Sequence, residues 1–461
     1  MSITQLPPLH SINPATLECI KEYQQHSEQD IEKRLTRLNV AQKEWRATKF
    51  TQRKACMNKL AVELERIEQH AAYTMALEMG KPWAQGIREI SKCAWLSNWF
   101  ADSAEAYLDA EIIPTEFQRS YVQYEPIGNV LAIMPWNFPF WQLFRFAAPA
   151  LMAGNGVVLK HSENCTGSAL AMEEIIHDSG VPSSLFRTIL VSNDNMKPVI
   201  QHDGVAAVTL TGSTKAGKIV ASQAGEALKK TVLELGGSDP YVILEDADTS
   251  LAAEKCATSR LINSGQSCIA AKRFIVVEKV YDKFVEKFKA ELSTKKVGDP
   301  FAENTDVGPM AREDLRDQLH EQVEKSFDKG AEITMGGKKP DVKGFFYPVT
   351  VLEQVTKGMP AYDDELFGPV AAIIKVKDED EAISVANDSS FGLGAAVFTQ
   401  DEEKGEHIAS QLLEAGCCFV NDFVKSDPRL PFGGIKQSGY GRELGPYGIK
   451  EFVNTKTVYI Q

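Results

Sequence analysis

Between residues 128 and 235 short apolar runs alternate with longer segments of helical spacing, and this limits the fold more than any other feature of the chain. GNVLAIMPW, NGVVLKHS, FRTILVS, GVAAVTLTG and KKTVLELGG read as strands. FPFWQLFRFAAPALMAG, with Pro139 near its start, GSALAMEEIIHDSG and STKAGKIVASQAGEAL read as helices between them. Strand and helix at this spacing predict an α/β fold: a parallel sheet with helices on both faces. The crevice at the carboxyl ends of such strands is where a nucleotide binds.

The alternation resumes after 237 with PYVILED, RFIVVE and PVAAIIKV. YDKFVEKFKAEL sets Tyr281, Phe284, Val285, Phe288 and Leu292 on one helical stripe. Residues 29–108 read as successive helices. RSYVQYEPIGNV and IKEFVNTKTVYI alternate polar and apolar residues, as edge strands or arms do, and point to a homo-oligomer.

Composition removes several function classes. The 461 residues, with 43% hydrophobic and 25% charged, suit a soluble protein of about three domains and a large core. A net charge of −13 argues against nucleic acid as a partner, because phosphate binding needs a basic surface. The N-terminal MSITQLPPLHSINPATLE has no basic region followed by an apolar run, so no signal peptide is expected. FRFAAPALMAGNGVVL is too short and too interrupted for a membrane span. The eight cysteines are scattered without a CxxC pair, which predicts no zinc site and a reducing, cytoplasmic setting.

Five places can carry chemistry. Cys268, in RLINSGQSCIAAKR, is either a buried thiol or a nucleophile; Gly265, its small polar neighbours, Lys272 and Arg273 suggest an open, electropositive turn. Glu234, in TVLELGG, points outward, pairs with a lysine such as Lys229, or is a desolvated base with a raised pKa. Asn137, in MPWNFPFWQ, is a helix cap or an oxyanion donor. Gly212 and Gly217 bracket a helix start in TLTGSTKAG, a weak phosphate signal. Lys160 ends a strand and is a surface lysine or a ribose or phosphate contact.

Taken as a set, PWNFP at 135–139, TGSTKAG at 211–217, LELGGSDP at 233–240, GQSC at 265–268, ELFGPV at 365–370 and PFGGIKQSGYGRE at 431–443 resemble the aldehyde dehydrogenase superfamily. The resemblance covers nearly the whole chain. It implies a Rossmann-type cofactor domain (1–107 and 127–235), an α/β catalytic domain (236–440) and a small β oligomerisation arm (108–126 and 441–461) in a homodimer or homotetramer. It implies Cys268 as nucleophile, Glu234 as the base that activates the deacylating water, and Asn137 with the Cys268 N–H as oxyanion hole. The cofactor contacts it implies run in two groups. One comprises Met134, Pro135, Trp136, Gly212, Ser213 and Leu235, with Trp136 part of the cleft wall and Ser213 a pyrophosphate contact, and Glu365 and Phe367 at the nicotinamide ribose and ring. The other is Lys160, Ser162 and Glu163 at the adenosine ribose. Cys268 then forms a thiohemiacetal and a thioester on the way to the acid.

Within the superfamily the sequence is most similar to bacterial NAD(P)-dependent succinate-semialdehyde dehydrogenases. Arg145 stands where those enzymes hold the substrate carboxylate, with Ser426 as a second contact; otherwise Arg145 supports the fold in an ion pair. Many of those enzymes carry another arginine at the position of Ile262, and here Arg260 is two positions away. Some use a cysteine at the position of Ala270 as a disulfide switch, so none is expected here. Glu163 repels a 2′-phosphate, which predicts NAD as the preferred cofactor with NADP possible. The alternatives are a dehydrogenase for other short or carboxylate-bearing aldehydes and a catalytically silent binding protein of the same fold.

Overall fold

The computed structural model describes residues 6–461, so residues 1–5 of the N-terminal stretch read above lie outside the described residues. The alternating segments build two separate sheets. The first has six strands in the order Gly439–Tyr440, Lys230–Glu234, Ala207–Thr211, Asn129–Met134, Gly156–His161 and Phe186–Thr188. All pair in parallel except Gly439–Tyr440, which adds antiparallel to the edge. The chain order reverses between Asn129–Met134 and Ala207–Thr211, so their carboxyl ends splay apart and open a crevice. Three long helices, Glu28–Arg46, Phe50–Met79 and Trp83–Tyr107, fill the N-terminal region where helices were expected.

The second sheet has seven strands, with Pro240–Ile243 and Arg273–Val277 central and parallel. The helix Tyr281–Ser293 buries Tyr281, Phe284, Val285, Phe288 and Leu292 against this sheet, the stripe its periodicity predicts. A third sheet pairs Val453–Ile460 with Arg119–Pro126 in antiparallel register, Val453 opposite Pro126 through to Ile460 opposite Arg119. No helix among the described residues is long and apolar enough to cross a membrane.

Candidate active site

The helix Thr249–Leu261 stops at Ile262, and the next three residues turn the chain sharply. Asn263, Ser264 and Gly265 all have positive φ, at 53°, 58° and 74°. At Gly265 a Cβ would run into the Gly368 carbonyl, so no other residue fits. Two consecutive non-glycine residues in the left-handed region are strained, and the surroundings hold them there. Arg260 Nη2 donates to the Gly265 carbonyl at 2.6 Å. Asn263 Nδ2 donates to the Asn137 and Gln266 carbonyls at 2.7 and 3.0 Å. Lys272 Nζ donates to the carbonyls of Ser267, Cys268 and Ala270 at 3.0, 2.7 and 3.2 Å. The stretch is therefore a tightly tied reversal rather than the open turn expected. Of the two cations that follow Cys268, Lys272 holds the loop. Arg273 turns away to the carbonyls of Ser238, Val385 and Ala386.

Cys268 is half-buried and lines two cavities. Burial pushes its thiol up to about 12, against the pull of Arg145 and Lys272. The electropositive neighbours are present, but desolvation outweighs them, so the resting group is the thiol.

Glu234 ends the strand Lys230–Glu234, opposite Thr211 on one side and Gly439 on the other. It is only 2% exposed, and neither carboxylate oxygen has a hydrogen-bond partner. Burial and the neighbouring Glu443 push it well above the usual carboxylate range, while Arg145 and Arg442 pull it back. Lys229 is not its partner: that ammonium donates to the His202 carbonyl at 2.5 Å. Beside it, Arg145 pairs with Glu443, and both side chains are 2% exposed. Burial also raises Glu443, against Arg145. One buried guanidinium thus faces two buried carboxyls, with the partly exposed Arg442 as a second cation acting on Glu234.

Asn137 does not cap the helix Pro139–Ala153; Phe138 takes that position. Its Nδ2 donates to the Gln266 carbonyl at 3.2 Å, which uses one of two amide hydrogens and leaves the other free. The helix start is instead capped by Glu89, whose Oε1 accepts from the N–H groups of Phe140 and Trp141, each at 3.0 Å. Lys81 pairs with Glu89 and is buried with it. This pair fixes the segment that carries Asn137.

A cavity of about 550 Å³ fills the crevice and reaches Cys268. Pro135, Trp136, Gly212, Ser213, Leu235, Glu365 and Phe367 line it. Trp136 and Phe367 meet edge to face at 5.8 Å. Ser213 caps the helix Thr214–Glu226, accepting from the Ala216 N–H at 3.2 Å. Gly217 is a packing glycine, because a Cβ there would collide with Leu235. Glu365 accepts from the Gly237 N–H at 3.0 Å and lies 3.5 Å from Lys272 Nζ. Met134, Lys160, Ser162 and Glu163 are not in this wall. They stand at the ends of the neighbouring strands Asn129–Met134 and Gly156–His161, where Lys160 donates to Asn193 and the Ser162 hydroxyl to Asn164 at 2.6 Å. A nicotinamide dinucleotide fits this crevice: a helix N-terminus for phosphate, an aromatic wall and a thiol at its inner end.

A second cavity, of about 350 Å³ and mainly apolar, lies on the other side of Cys268. Trp141, Arg145, Ile262, Ser426, Phe432 and Lys92 line it. Gln142 and Cys268 belong to both cavities. Ile262 gives this wall a hydrocarbon surface, and Arg260 is fully buried against the loop and not in the wall. Lys92, Gln142, Glu443 and the Lys81–Glu89 pair escaped the sequence reading. Glu443 sits inside the quoted PFGGIKQSGYGRE motif, and Lys92 breaks the apolar stripe of its helix. Away from the site, His10, Cys19 and Glu22 bring one ligand atom each within 4.8 Å of one another on an exposed hairpin. All eight cysteines are free thiols.

A crevice suited to a nucleotide and an apolar pocket that meet at the Cys268 thiol are the arrangement of a nucleotide-dependent oxidoreductase. Residues 4–458 match the Aldehyde dehydrogenase family, and the chain belongs to it. It is an NAD(P)-dependent aldehyde dehydrogenase. It is 44% identical to succinate semialdehyde dehydrogenase [NAD(P)+] Sad of Escherichia coli (strain K12), over 100% of this chain and 99% of that one. It is 46% identical to succinate-semialdehyde dehydrogenase [NADP(+)] of Mycobacterium leprae (strain TN), over 98% and 99%. The solved succinic semialdehyde dehydrogenase of Streptococcus pyogenes, in complex with NADP+, superimposes with a TM-score of 0.96 at 38% identity, covering 98% and 99%.

Proposed function

We propose that the chain oxidises succinate semialdehyde to succinate with reduction of a nicotinamide dinucleotide, through Cys268. The observation that carries this is the meeting of the two cavities at that residue. The smaller cavity would take the aldehyde and the larger the cofactor, with Cys268 in the wall of both. The two sheets suggest the division, except that Gly439–Tyr440, expected in the catalytic domain, joins the edge of the six-stranded layer. That layer with its N-terminal helices would bind the cofactor, and the seven-stranded layer would present the nucleophile.

Cys268 loses its proton to solvent and its sulfur adds to the aldehyde carbon, turning the carbonyl oxygen into an oxyanion. The free hydrogen of Asn137 Nδ2 and the Cys268 N–H stabilise the oxyanion as it forms, and the tied loop supplies that geometry without reorganisation. A nicotinamide dinucleotide held along Trp136, Ser213, Glu365 and Phe367 would supply hydride acceptance, chemistry that no side chain of the protein offers. Glu234, deprotonated, takes a proton from water as the water oxygen adds to the thioester carbon; the C–S bond breaks, succinate leaves, and the proton held by Glu234 returns to the Cys268 sulfur. Burial raises the pKa of Glu234, which makes its carboxylate a stronger base toward water than an exposed one.

The preference between cofactors rests on Glu163. Its carboxylate disfavours a 2′-phosphate, so NAD is the better substrate and NADP is also used. Against this stand the relatives, whose names carry NAD(P)+ or NADP(+). The antiparallel sheet leaves Ile112, Tyr459 and Ile460 exposed, which supports a homo-oligomer built through this arm. Eight free cysteines fit a reducing cytoplasm.

Reduced-cofactor absorbance with succinate semialdehyde tests the reading. Wild type gives turnover, and Cys268→Ala lowers it by roughly 10³-fold or more. If neither succinate semialdehyde nor a dozen other aldehydes gives a signal, the chain is a silent member of the fold.

A further inference from the structure

Several charged groups on the wall of the smaller cavity already have opposite charges beside them. Glu89 faces Lys81, Arg145 faces Glu443, and Lys425 faces Asp422. Lys92 differs. It lies on the helix Trp83–Tyr107 and has no carboxylate within ion-pair distance among the described residues. Its Nζ donates to Ser426 Oγ at 2.9 Å and lies 4.0 Å from the centroid of the Trp141 ring. Ser426 is itself buried. Because its oxygen accepts from Lys92, its own hydrogen remains available to another acceptor. An ammonium, a hydroxyl with a free hydrogen and an indole face that tolerates the cation make a ready receptor for one anionic group. Ile262 and Phe432 keep the surrounding wall apolar, which strengthens any ion pair made there. Arg88 and Lys295 also line the cavity, but among the described residues no side chain holds either in place.

We propose that Lys92 and Ser426 receive the distal carboxylate of an acid-bearing aldehyde, and that Lys92 sets the preference for such substrates over neutral ones. The assignment rests on the reading of this cavity as the aldehyde site. It gives Ser426 a cationic partner and places the charge that discriminates on a residue other than Arg145, whose guanidinium is already opposed by Glu443.

A pH signature follows. Burial pushes Lys92 down to about 8. Cys93 and Glu89 on its own helix and Asp427 on the facing loop oppose the shift, and Arg145 on the helix Pro139–Ala153 adds to it. Loss of the ammonium proton removes the receptor charge. The ratio of kcat/KM for an acid-bearing aldehyde to that for a neutral one of equal length therefore falls as pH rises through about 8.

The probes are succinate semialdehyde and butanal, each measured as kcat/KM on wild type, Lys92→Met and Lys92→Arg. In wild type the acid is preferred. In Lys92→Met that preference falls by about 30-fold to 100-fold, chiefly through KM, as loss of one charge-assisted contact predicts. Lys92→Arg keeps a preference for the acid, and its ratio no longer falls through pH 8, because a guanidinium stays charged. If Lys92→Met retains the wild-type ratio, or loses both substrates equally, Lys92 is not the receptor. Should Lys92→Met fail to fold, the wild-type pH profile decides, and a flat ratio overturns the proposal. A wild type with no preference for the acid overturns the functional reading and this assignment with it.

Discussion

Replacing Arg145 by methionine leaves Glu443 without the guanidinium that opposes it, at a position that is 2% exposed. Glu234 in the same cluster already has no hydrogen-bond partner and a raised pKa. The field of one cation is then missing for two carboxyls, and Glu443 must take up a proton to stay buried. Holding a carboxyl of ordinary pKa 4.5 protonated at pH 7 costs about 3 kcal/mol, at about 1.4 kcal/mol per pH unit. That agrees with the ~3–5 kcal/mol lost when one partner of a buried pair is removed. For a chain of this length, at about 2 cal/mol/K per residue, the loss lowers the midpoint of thermal unfolding by roughly 3 °C. The sign is set by linkage: burial already raises Glu443 above 4.5 against the pull of Arg145, and without Arg145 it rises further, so its contribution is intact below pH 4.5 and is lost as pH rises. The deficit against wild type therefore shrinks to about 1 kcal/mol near pH 5. Adding Glu443→Gln to Arg145→Met removes the proton requirement and recovers most of the loss. Calorimetric midpoints at several pH values for wild type, both single variants and the double variant measure this. A deficit that does not change with pH, or a double variant no more stable than Arg145→Met, would refute it. A double variant that is stable yet has lost its preference for acid-bearing aldehydes would make Arg145 the carboxylate receptor instead.

Three further outcomes follow, two at Glu234 and one at Glu163. Glu234→Gln should release a burst of reduced cofactor and then turn over about 10²-fold to 10⁴-fold more slowly, because acylation proceeds without the base that deacylation needs; rapid-mixing absorbance separates the two phases. The same variant should gain stability on wild type as pH rises above 4.5, since the raised carboxyl stabilises only below that value and loses its contribution as pH rises. Glu163→Ser should raise kcat/KM for NADP by roughly 10-fold, or about 1.4 kcal/mol, with little gain for NAD; an unchanged NADP value would remove Glu163 from cofactor selection.

Much of the fold was legible because its signals are local. The helix Tyr281–Ser293 buries the five residues its periodicity singled out. The five parallel strands of the cofactor sheet appear where short apolar runs were read, although FRTILVS yields only the short strand Phe186–Thr188. The two-residue strand Gly439–Tyr440 was not legible, since its pairing with Leu233 and Glu234 reaches across some two hundred positions. The left-handed reversal at Asn263, Ser264 and Gly265 was equally hidden, because only tertiary bonds hold asparagine and serine in that conformation.

The sequence by itself determined the α/β alternation, the crevice-forming strand ends and the residues that can act as nucleophile, base and oxyanion donor. These depend on side-chain chemistry and on spacings within one element, which the chain order preserves. The tertiary structure alone decided which of these groups are charged and what opposes them. It desolvates Cys268 and Glu234, sets Arg145 against Glu443, and brings Lys92 to Ser426 across 334 positions of chain. Burial and Coulomb interactions depend on distance in space, and no local pattern in the sequence encodes that distance.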